Sequence, residues 1–404
     1  MHIVVLGGGG AMGRITVRAL AEDARVAQVT VADLRLEAAE RVVAWLGPGR
    51  EKARAVACDV RDHDQLVGLL QGAQVLLNAT DYPFNLDVMR AALAARVHYA
   101  DLGGLFHMTR RQYELHDAFK EAGLTAVLGI GSTPGITNIL ARVAADQLDR
   151  VERLDVRIGS GDLRAAPPTA DAPFVAPYSI RTIFDECTLE PMVFRNGRHI
   201  AVPPMSGQED IMFPAPLGRA TAMYTLHSEV ALFPTSFKGL RHASFKIAFP
   251  PEFLAQLKLL VGVGLAGTEP VAVRMAGARE LVNIAPRELF VALLQAQQAQ
   301  QTAGATNAEP SDCDVLRVVA EGRRNGAPVT LVEEMVARPY KSWRIGAGDL
   351  DTGVPLAIAG MLLASGDAPR GALGAELVFD PQAFLRELAR YDMRATETTT
   401  RMLS

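Results

Sequence analysis

Short apolar runs rich in β-branched residues alternate with longer amphipathic stretches over residues 1–140. The runs predict strands over His2–Leu6, Val26–Val31, Ala53–Ala57, Val75–Leu77, Val97–Ala100 and Leu124–Leu128. The stretches between them, with apolar positions at helical spacing, predict helices over Met12–Ala21, Leu36–Leu46, His63–Leu70, Leu86–Ala95 and Thr109–Glu121. Strands that are apolar on both faces need cover on both faces, and a helix after each strand supplies it. The pattern is that of an α/β domain built on a doubly wound parallel sheet.

After Thr137 the rhythm changes. A helix is expected over Asn138–Asp149, followed by the strand-like LDVRIGS and then AAPPTADAPFVAPY. Pro167, Pro168, Pro173 and Pro177 exclude a regular helix or central strand there, so the chain crosses between domains at that point. Asn196-Gly197 and Asn325-Gly326 each sit between β-forming runs and supply the positive φ of a tight turn, which predicts two hairpins. Residues 141–345 therefore read as a second, α+β domain with an antiparallel sheet, for substrate binding and dimerisation. The polar, low-complexity stretch at 295–309 reads as a frayed helix end entering an exposed loop. In 346–404, TGVPLAIAGMLLASG predicts an apolar helix with Pro355 in its first turn and Gly366 at its end, packing back on the N-terminal domain.

Composition narrows the function more than the fold. The chain has 404 residues, 49% hydrophobic and 21% charged, the mix of an ordinary globular protein. Its formal net charge is −4 and it has no long Lys/Arg run, which argues against nucleic acid or an anionic membrane surface and for a small-molecule ligand. The N-terminus lacks a basic leader, and no charge-free apolar run reaches the ~18 residues of a membrane span, so a cytoplasmic location is expected. Cys58, Cys187 and Cys313 are odd in number and widely spaced, and no H-E-x-x-H pattern occurs; neither a disulfide framework nor a metal site is expected.

The first strand runs directly into G-G-G-G-A-M-G, a G-x-G-x-x-G match at Gly8, Gly10 and Gly13 that opens a helix with Ala11 and Met12. The first glycine permits a tight turn, the second lets backbone N–H groups approach a pyrophosphate, and the third brings the helix against the sheet. Asp33 ends the second strand 20 residues beyond Gly13, where a carboxylate accepts the adenosine ribose hydroxyls. Together these define a Rossmann dinucleotide site and favour NAD, with Arg35 leaving NADP possible. Asp59 and Val60 after the third strand, and Asn78, Ala79 and Thr80 after the fourth, lie at the carboxyl edge and join the candidate cofactor residues; Asp59 reads equally well as a helix N-cap.

The Rossmann start, VLLNATDYPFNLDVMRAALAARVHYADLGG, EAGLTAVLGIGSTPGITNILA and the late TGVPLAIAGMLLASG resemble the saccharopine dehydrogenase-like family, which includes saccharopine reductases, lysine 6-dehydrogenases and carboxynorspermidine dehydrogenases. The resemblance is strong over roughly the first 145 and the last fifty residues and faint between them. Saccharopine and carboxynorspermidine enzymes tend to carry Asp-Pro-Gly where this chain has Thr133-Pro134-Gly135, nearer to lysine 6-dehydrogenases. The resemblance implies an NAD(P)-dependent oxidoreductase acting on a C–N bond of an amino acid or amine. Its sharpest form is lysine 6-dehydrogenase; the alternatives are a saccharopine- or carboxynorspermidine-type reductase joining an amine to a carbonyl partner, and a non-enzymatic NAD sensor.

Oxidation of an amine requires a group to take its proton. The polar residues of the loop HYADLGGLFH are Tyr99, Asp101 and His107; Asp101 is the first candidate base and His107 the second, with a turn cap and a surface helix start as their structural alternatives. The loop Ser132–Asn138 enters a helix; its free backbone N–H groups are candidates to hold a nicotinamide carboxamide or a substrate carboxylate, and Thr137 and Asn138 read alternatively as N-caps. In the second domain Tyr178, Arg181, Tyr224, His227 and Glu229 are candidates to close over substrate, Arg181 by bidentate contact with a carboxylate; His227 and Glu229 read alternatively as the wet side of a strand. A homodimer is expected from the antiparallel sheet and its apolar helices.

Overall fold

A computed structural model describes residues 1–163, 174–274, 277, 280–303 and 309–401. The N-terminal unit contains β1 (His2–Leu6), α1 (Ala11–Glu22), β2 (Gln28–Asp33), α2 (Leu36–Trp45), β3 (Ala53–Ala57), α3 (His63–Leu69), β4 (Val75–Asn78), α4 (Asn85–Ala95), β5 (His98–Asp101), α5 (Leu105–Tyr113), α6 (His116–Glu121), β6 (Thr125–Val127) and α7 (Ile136–Ala145). The second unit runs through β7 (Arg150–Asp162), α8 (Ile180–Thr188), β8 (Met192–Arg195), β9 (Arg198–Ala201), β10 (Glu209–Met212), β11 (Arg219–Tyr224), α9 (Glu229–Ser236), β12 (His242–Ala248), α10 (Pro251–Gly262), β13 (Val271–Arg274), β14 (Leu281–Ile284), α11 (Pro286–Ala303), β15 (Asp312–Arg324) and β16 (Ala327–Ala337). The chain ends with α12 (Ala347–Ala364), β17 (Gly371–Leu373), α13 (Ala375–Val378), α14 (Pro381–Ala389) and β18 (Ala395–Arg401).

The first sheet is parallel throughout, in the order β17-β6-β5-β4-β1-β2-β3. Strand order reverses on either side of β1, and the crevice beyond the carboxyl ends of β1 and β4 is where ligands of such sheets bind. Ile3, Val4, Val5 and Leu6 are fully buried, as expected for a strand covered on both faces.

The second sheet follows the order β10-β11-β12-β7-β15-β16-β18, with β8 and β9 attached to β12. It is antiparallel except where β12 pairs with β7, so it is mixed rather than purely antiparallel. The pleat sorts its residues: Leu154, Val156, Phe245, Leu316, Val318 and Met335 are buried in the core that the sheet shares with α7, α9 and α12. Arg153, Asp155, Arg157, Ser244 and Lys246 alternate onto the opposite face. Both predicted hairpins form, with positive φ at Asn196, Gly197, Asn325 and Gly326.

Four elements differ from their sequence reading, the first being the helix expected over Asn138–Asp149, which is α7 and spans Ile136–Ala145. The helix expected over Thr109–Glu121 is two helices, α5 and α6. The late helix begins five residues earlier than expected, capped at Gly346, so Pro355 lies inside α12 rather than in its first turn. The tail is not helical throughout: β17 extends the first sheet and β18 extends the second, so the last sixty residues stitch the two units together. Gly353 makes part of this possible, because a Cβ there would sit 2.6 Å from Ile15 Cβ, where α12 crosses α1. Of the proline-rich crossing, residues 164–173 lie outside the described residues, as do 304–308 of the low-complexity stretch. By length and composition α12 is apolar enough to span a membrane, yet 72% of it is buried within the molecule.

Candidate active site

The turn after β1 is shaped to receive a pyrophosphate. A Cβ on Gly13 would lie 2.1 Å from the Gly7 carbonyl, one on Gly8 2.7 Å from Val31 Cγ1, and one on Gly9 2.7 Å from Ala38 Cβ, so side chains are excluded at these three positions. Gly10 is the N-cap of α1 and no side chain caps that end, which leaves the N–H groups of Ala11, Met12 and Gly13 free to receive an anion. Asp33 Oδ2 accepts from Gly9 N at 3.1 Å and Oδ1 from Arg35 N at 3.1 Å, which fixes the carboxylate at the lip of the turn while the Arg35 side chain stays exposed. These residues fit a dinucleotide. Asp59 ion-pairs with Arg61 at 2.7 Å beside Val60; the N-cap of α3 is Asp62, not Asp59.

At the edge of β4, Asn78 Oδ1 accepts from Thr80 N and Thr80 Oγ1, and Asn78 Nδ2 donates to Asn85. This turn brings the Ala79 carbonyl against Gly7, where a Cβ would approach it to 2.7 Å. Asn78 thus shapes the crevice from inside, and is itself fully buried.

Asp101 is not placed to act as a base. It is 1% exposed and accepts from Tyr99 Oη at 2.8 Å, Gln112 Nε2 at 2.5 Å, Gly103 N at 2.9 Å and Gly129 N at 2.8 Å. A carboxylate has about four acceptor positions, so none remains for a substrate ammonium. Burial pushes its pKa up, against the pull of those donors. Asp101 pins the loop after β5 to the loop after β6, and Tyr99, also buried, is one of its donors. His107 is exposed on α5, its ring edge-on to Tyr82 at 5.6 Å. Tyr82 Oη in turn donates to Asp185 of α8 at 2.6 Å, and Arg287 donates to the same carboxylate at 2.7 Å, which joins the two units across the cleft.

A different set of groups converges on the loop after β6. Thr133 Oγ1 and Thr137 Oγ1 donate to Glu229 Oε1, and Glu229 Oε2 pairs with His227 Nδ1. The His227 ring stacks on Phe245 at 3.8 Å and 9°, and its Nε2 stands 4.0 Å from Glu186 Oε1. Tyr178 Oη donates to Glu186 Oε2. Burial disfavours the imidazolium, but Glu229 and then Glu186 outweigh it and hold the His227 pKa above its ordinary value. Burial likewise works against the Glu229 charge, and His227 with the Thr133 hydroxyl more than compensates, so its pKa falls. For Glu186, burial outweighs the pull of His227 and of the Tyr178 hydroxyl and pushes its pKa up to about 7.

Further carboxyl groups ring the same loop. Ser132 Oγ donates to Asp351 Oδ2 at 3.1 Å, and Asp351 is fully buried. Asp314 takes a hydrogen bond from Ser160 Oγ at 2.5 Å and lies within electrostatic reach of Asp351 and Tyr178. Burial raises the Asp314 pKa to about 6 and that of Asp351 well above its usual range, each further raised by acidic neighbours.

The sequence-derived substrate candidates therefore separate. Tyr178 and His227 meet in this cluster with Glu229, which is buried rather than on a wet strand face. Tyr224 does not join them: it lies under Lys246 at 4.5 Å, on the face of β12 opposite Phe245. Arg181 pairs with Glu288 at 2.5 Å near the Tyr82–Asp185 contact. Asn138 serves the N-terminus of α7 from its third position, its Oδ1 accepting from Gly135 N at 2.9 Å. Glu186, Asp314 and Asp351 escaped the sequence reading, being acidic residues on separate elements with no shared spacing. No group of side chains able to hold a metal ion occurs among the described residues.

A dinucleotide turn on a doubly wound sheet, facing a titratable cluster from a second domain, defines a nicotinamide-dependent oxidoreductase of two domains. Its family is settled by comparison: the saccharopine dehydrogenase NADP binding domain matches residues 3–127 and the saccharopine dehydrogenase C-terminal domain residues 131–393, so the chain belongs to the saccharopine dehydrogenase family. It is 24% identical over 403 residues to carboxyaminopropylagmatine dehydrogenase of Synechocystis sp., covering 96% of this chain and 95% of that one. It is 23% identical to carboxynorspermidine synthase of Vibrio alginolyticus, over 67% of this chain and 68% of the other. The apo saccharopine dehydrogenase (L-Glu forming) of Saccharomyces cerevisiae shares the fold with a TM-score of 0.68 at 18% identity, over 99% of both chains. The protein is thus an NAD(P)-dependent oxidoreductase acting on amine compounds.

Proposed function

We propose that this protein interconverts a carboxylated, polyamine-type secondary amine and its imine, the C–N bond being reduced or oxidised at the mouth of the crevice beyond β1 and β4. The observation that carries the reading is the set of carboxyl groups around Ser132–Thr133: Glu186, Glu229, Asp314 and Asp351, with His227 the basic group hydrogen-bonded into it. Such a wall offers hydrogen-bond acceptors to an amine with several N–H-bearing nitrogens, and a cation entering it draws the raised carboxyl groups into their charged form, so it suits such a substrate better than an anionic one. The two curated relatives, named for carboxyaminopropylagmatine and carboxynorspermidine, support the same class.

A nicotinamide held here supplies or accepts the hydride. The chain's own contribution is to hold the pyrophosphate on the N–H groups of Ala11, Met12 and Gly13, the adenosine ribose on Asp33, and the reacting amine against the carboxyl wall. Asp33 also favours NAD over NADP, because a 2′-phosphate would meet its carboxylate. Turnover of carboxyaminopropylagmatine, carboxynorspermidine, saccharopine and lysine with NAD⁺ and NADP⁺ tests this: oxidation of one of the first two is expected, and exclusive oxidation of lysine would replace the reading.

We further infer that the protein works as a homodimer. Support comes from the exposed apolar residues along α10, β13, β14 and α11: Leu259, Val263, Val271, Leu281, Val282, Leu289 and Leu293. Sedimentation equilibrium at micromolar concentration should give twice the chain mass, and the mass of a single chain would refute it.

A further inference from the structure

The buried cluster contains several groups able to carry a proton, but their hydrogen bonds leave them unequal. Both oxygens of Glu229 are occupied, Oε1 by Thr133 and Thr137 and Oε2 by His227, and the residue is 1% exposed. Tyr178 spends its hydroxyl proton on Glu186 Oε2, and burial with the adjacent Glu186 charge holds that proton in place. His227 uses Nδ1 on Glu229. Among Tyr178, Glu186, His227 and Glu229 two positions remain, Glu186 Oε1 and His227 Nε2, and they face one another across 4.0 Å. That is too long for a direct hydrogen bond, and of the right size for one nitrogen or water bonded to both at about 2.8 Å.

We propose that Glu186 is the residue that exchanges a proton with the substrate nitrogen, through Oε1, while His227 and Glu229 form a fixed charged pair that positions it. In oxidation the amine N–H bond breaks, an O–H bond forms on Glu186, and the electron pair left on nitrogen becomes the second C–N bond as the hydride leaves carbon for the nicotinamide. In reduction the hydride arrives at carbon, and the Glu186 O–H gives its proton to nitrogen. His227 is the poorer choice for this exchange because Glu229 stabilises its imidazolium form. Glu186 also has the ionisation the task needs, with burial holding it near neutrality. The charged and titratable groups around it are Asp185 and Cys187 on α8, Tyr178 before that helix, and His227 and Glu229 leading into α9; Asp314 of β15 reaches Tyr178.

The proposal rests on the chain acting on amines and not on which amine it prefers, so it is tested with whichever one the wild-type protein turns over. Glu186→Gln should lower kcat by about 10²–10⁴-fold, with KM little changed, and should erase the limb near pH 7 from the pH profile. Oxidation should rise through that limb with increasing pH and reduction should fall. Glu186→Asp should restore part of the rate. Infrared difference titration of the protein without cofactor gives a reading that needs no turnover: of the carboxyl groups ionising between about pH 6 and 8, the one near 7 should be lost in Glu186→Gln, while those of Asp314 and Glu333 remain. A pH limb that persists in Glu186→Gln with kcat unchanged would overturn the proposal, as would infrared titrations of the two proteins that show no loss of a carboxyl ionising near pH 7.

Discussion

Asp33 illustrates what one residue can decide. Its carboxylate is already oriented by Gly9 N and Arg35 N, so a ribose would meet a prepared acceptor. Asp33→Ala should therefore weaken NAD binding by about 1.5–3 kcal/mol, the worth of hydrogen bonds to a charged group, and narrow the gap to NADP. Calorimetric titration with both nucleotides checks this, and unchanged affinity for both would remove the ribose role. The placement of the glycines and Asp33 was legible in the sequence because it depends on fixed local spacing: a turn, a helix start and the end of the next strand. Asp101 was misread for the opposite reason. Its position after β5 was predicted, but its four donors come from Tyr99, Gly103, Gln112 and Gly129, and only the folded chain assembles them. Glu186 left no trace at all, since its neighbours His227 and Tyr178 reach it from different parts of the second domain.

Periodicity recovered the first six strands to within two residues at either end; all but the edge strand β3, which is only partly buried, draw their burial from one continuous covered sheet. It did less well where an element's partner is remote. The strand β18, ATETTTR, shows no apolar alternation and is exposed along its length; it is held by its pairing with β16 instead. That pairing sets Glu397 opposite Glu333, which is 2% exposed with Oε1 unpartnered. Burial, reinforced by Glu397, raises the Glu333 pKa from 4.5 to about 8. An acid with a raised folded pKa binds its proton more tightly in the folded state, so stability falls as pH climbs from about 4.5 to about 8 and then levels off. Glu333→Gln should keep the contact without the charge and flatten this decline, raising Tm at pH 9 by about 2–4 °C per kcal/mol recovered. Thermal unfolding of both proteins across that range is the check; parallel curves would show that Glu333 ionises normally.

At the scale of the whole molecule, the dinucleotide turn and the carboxyl wall belong to different domains and must be brought together. The Tyr82–Asp185–Arg287 contact does this directly, joining the segment after β4 to α8, one residue from Glu186. Tyr82→Phe keeps the ring against His107 but gives up the hydrogen bond to Asp185. It should raise KM for the amine by about tenfold, equivalent to about 1.4 kcal/mol, while leaving dinucleotide affinity unchanged. Steady-state kinetics beside nucleotide titration would show the split, and an equal loss in both would place Tyr82 in the cofactor site instead. The central claim is that the cleft between these domains oxidises or reduces a C–N bond in an amine rich in positive charge. The most direct measurement is the absorbance of reduced nicotinamide as purified protein is mixed with NAD⁺ and carboxyaminopropylagmatine or carboxynorspermidine. The account predicts saturable formation of reduced cofactor that is slowed by Glu186→Gln; absence of turnover with both amines, in a protein that binds the nucleotide, would contradict it.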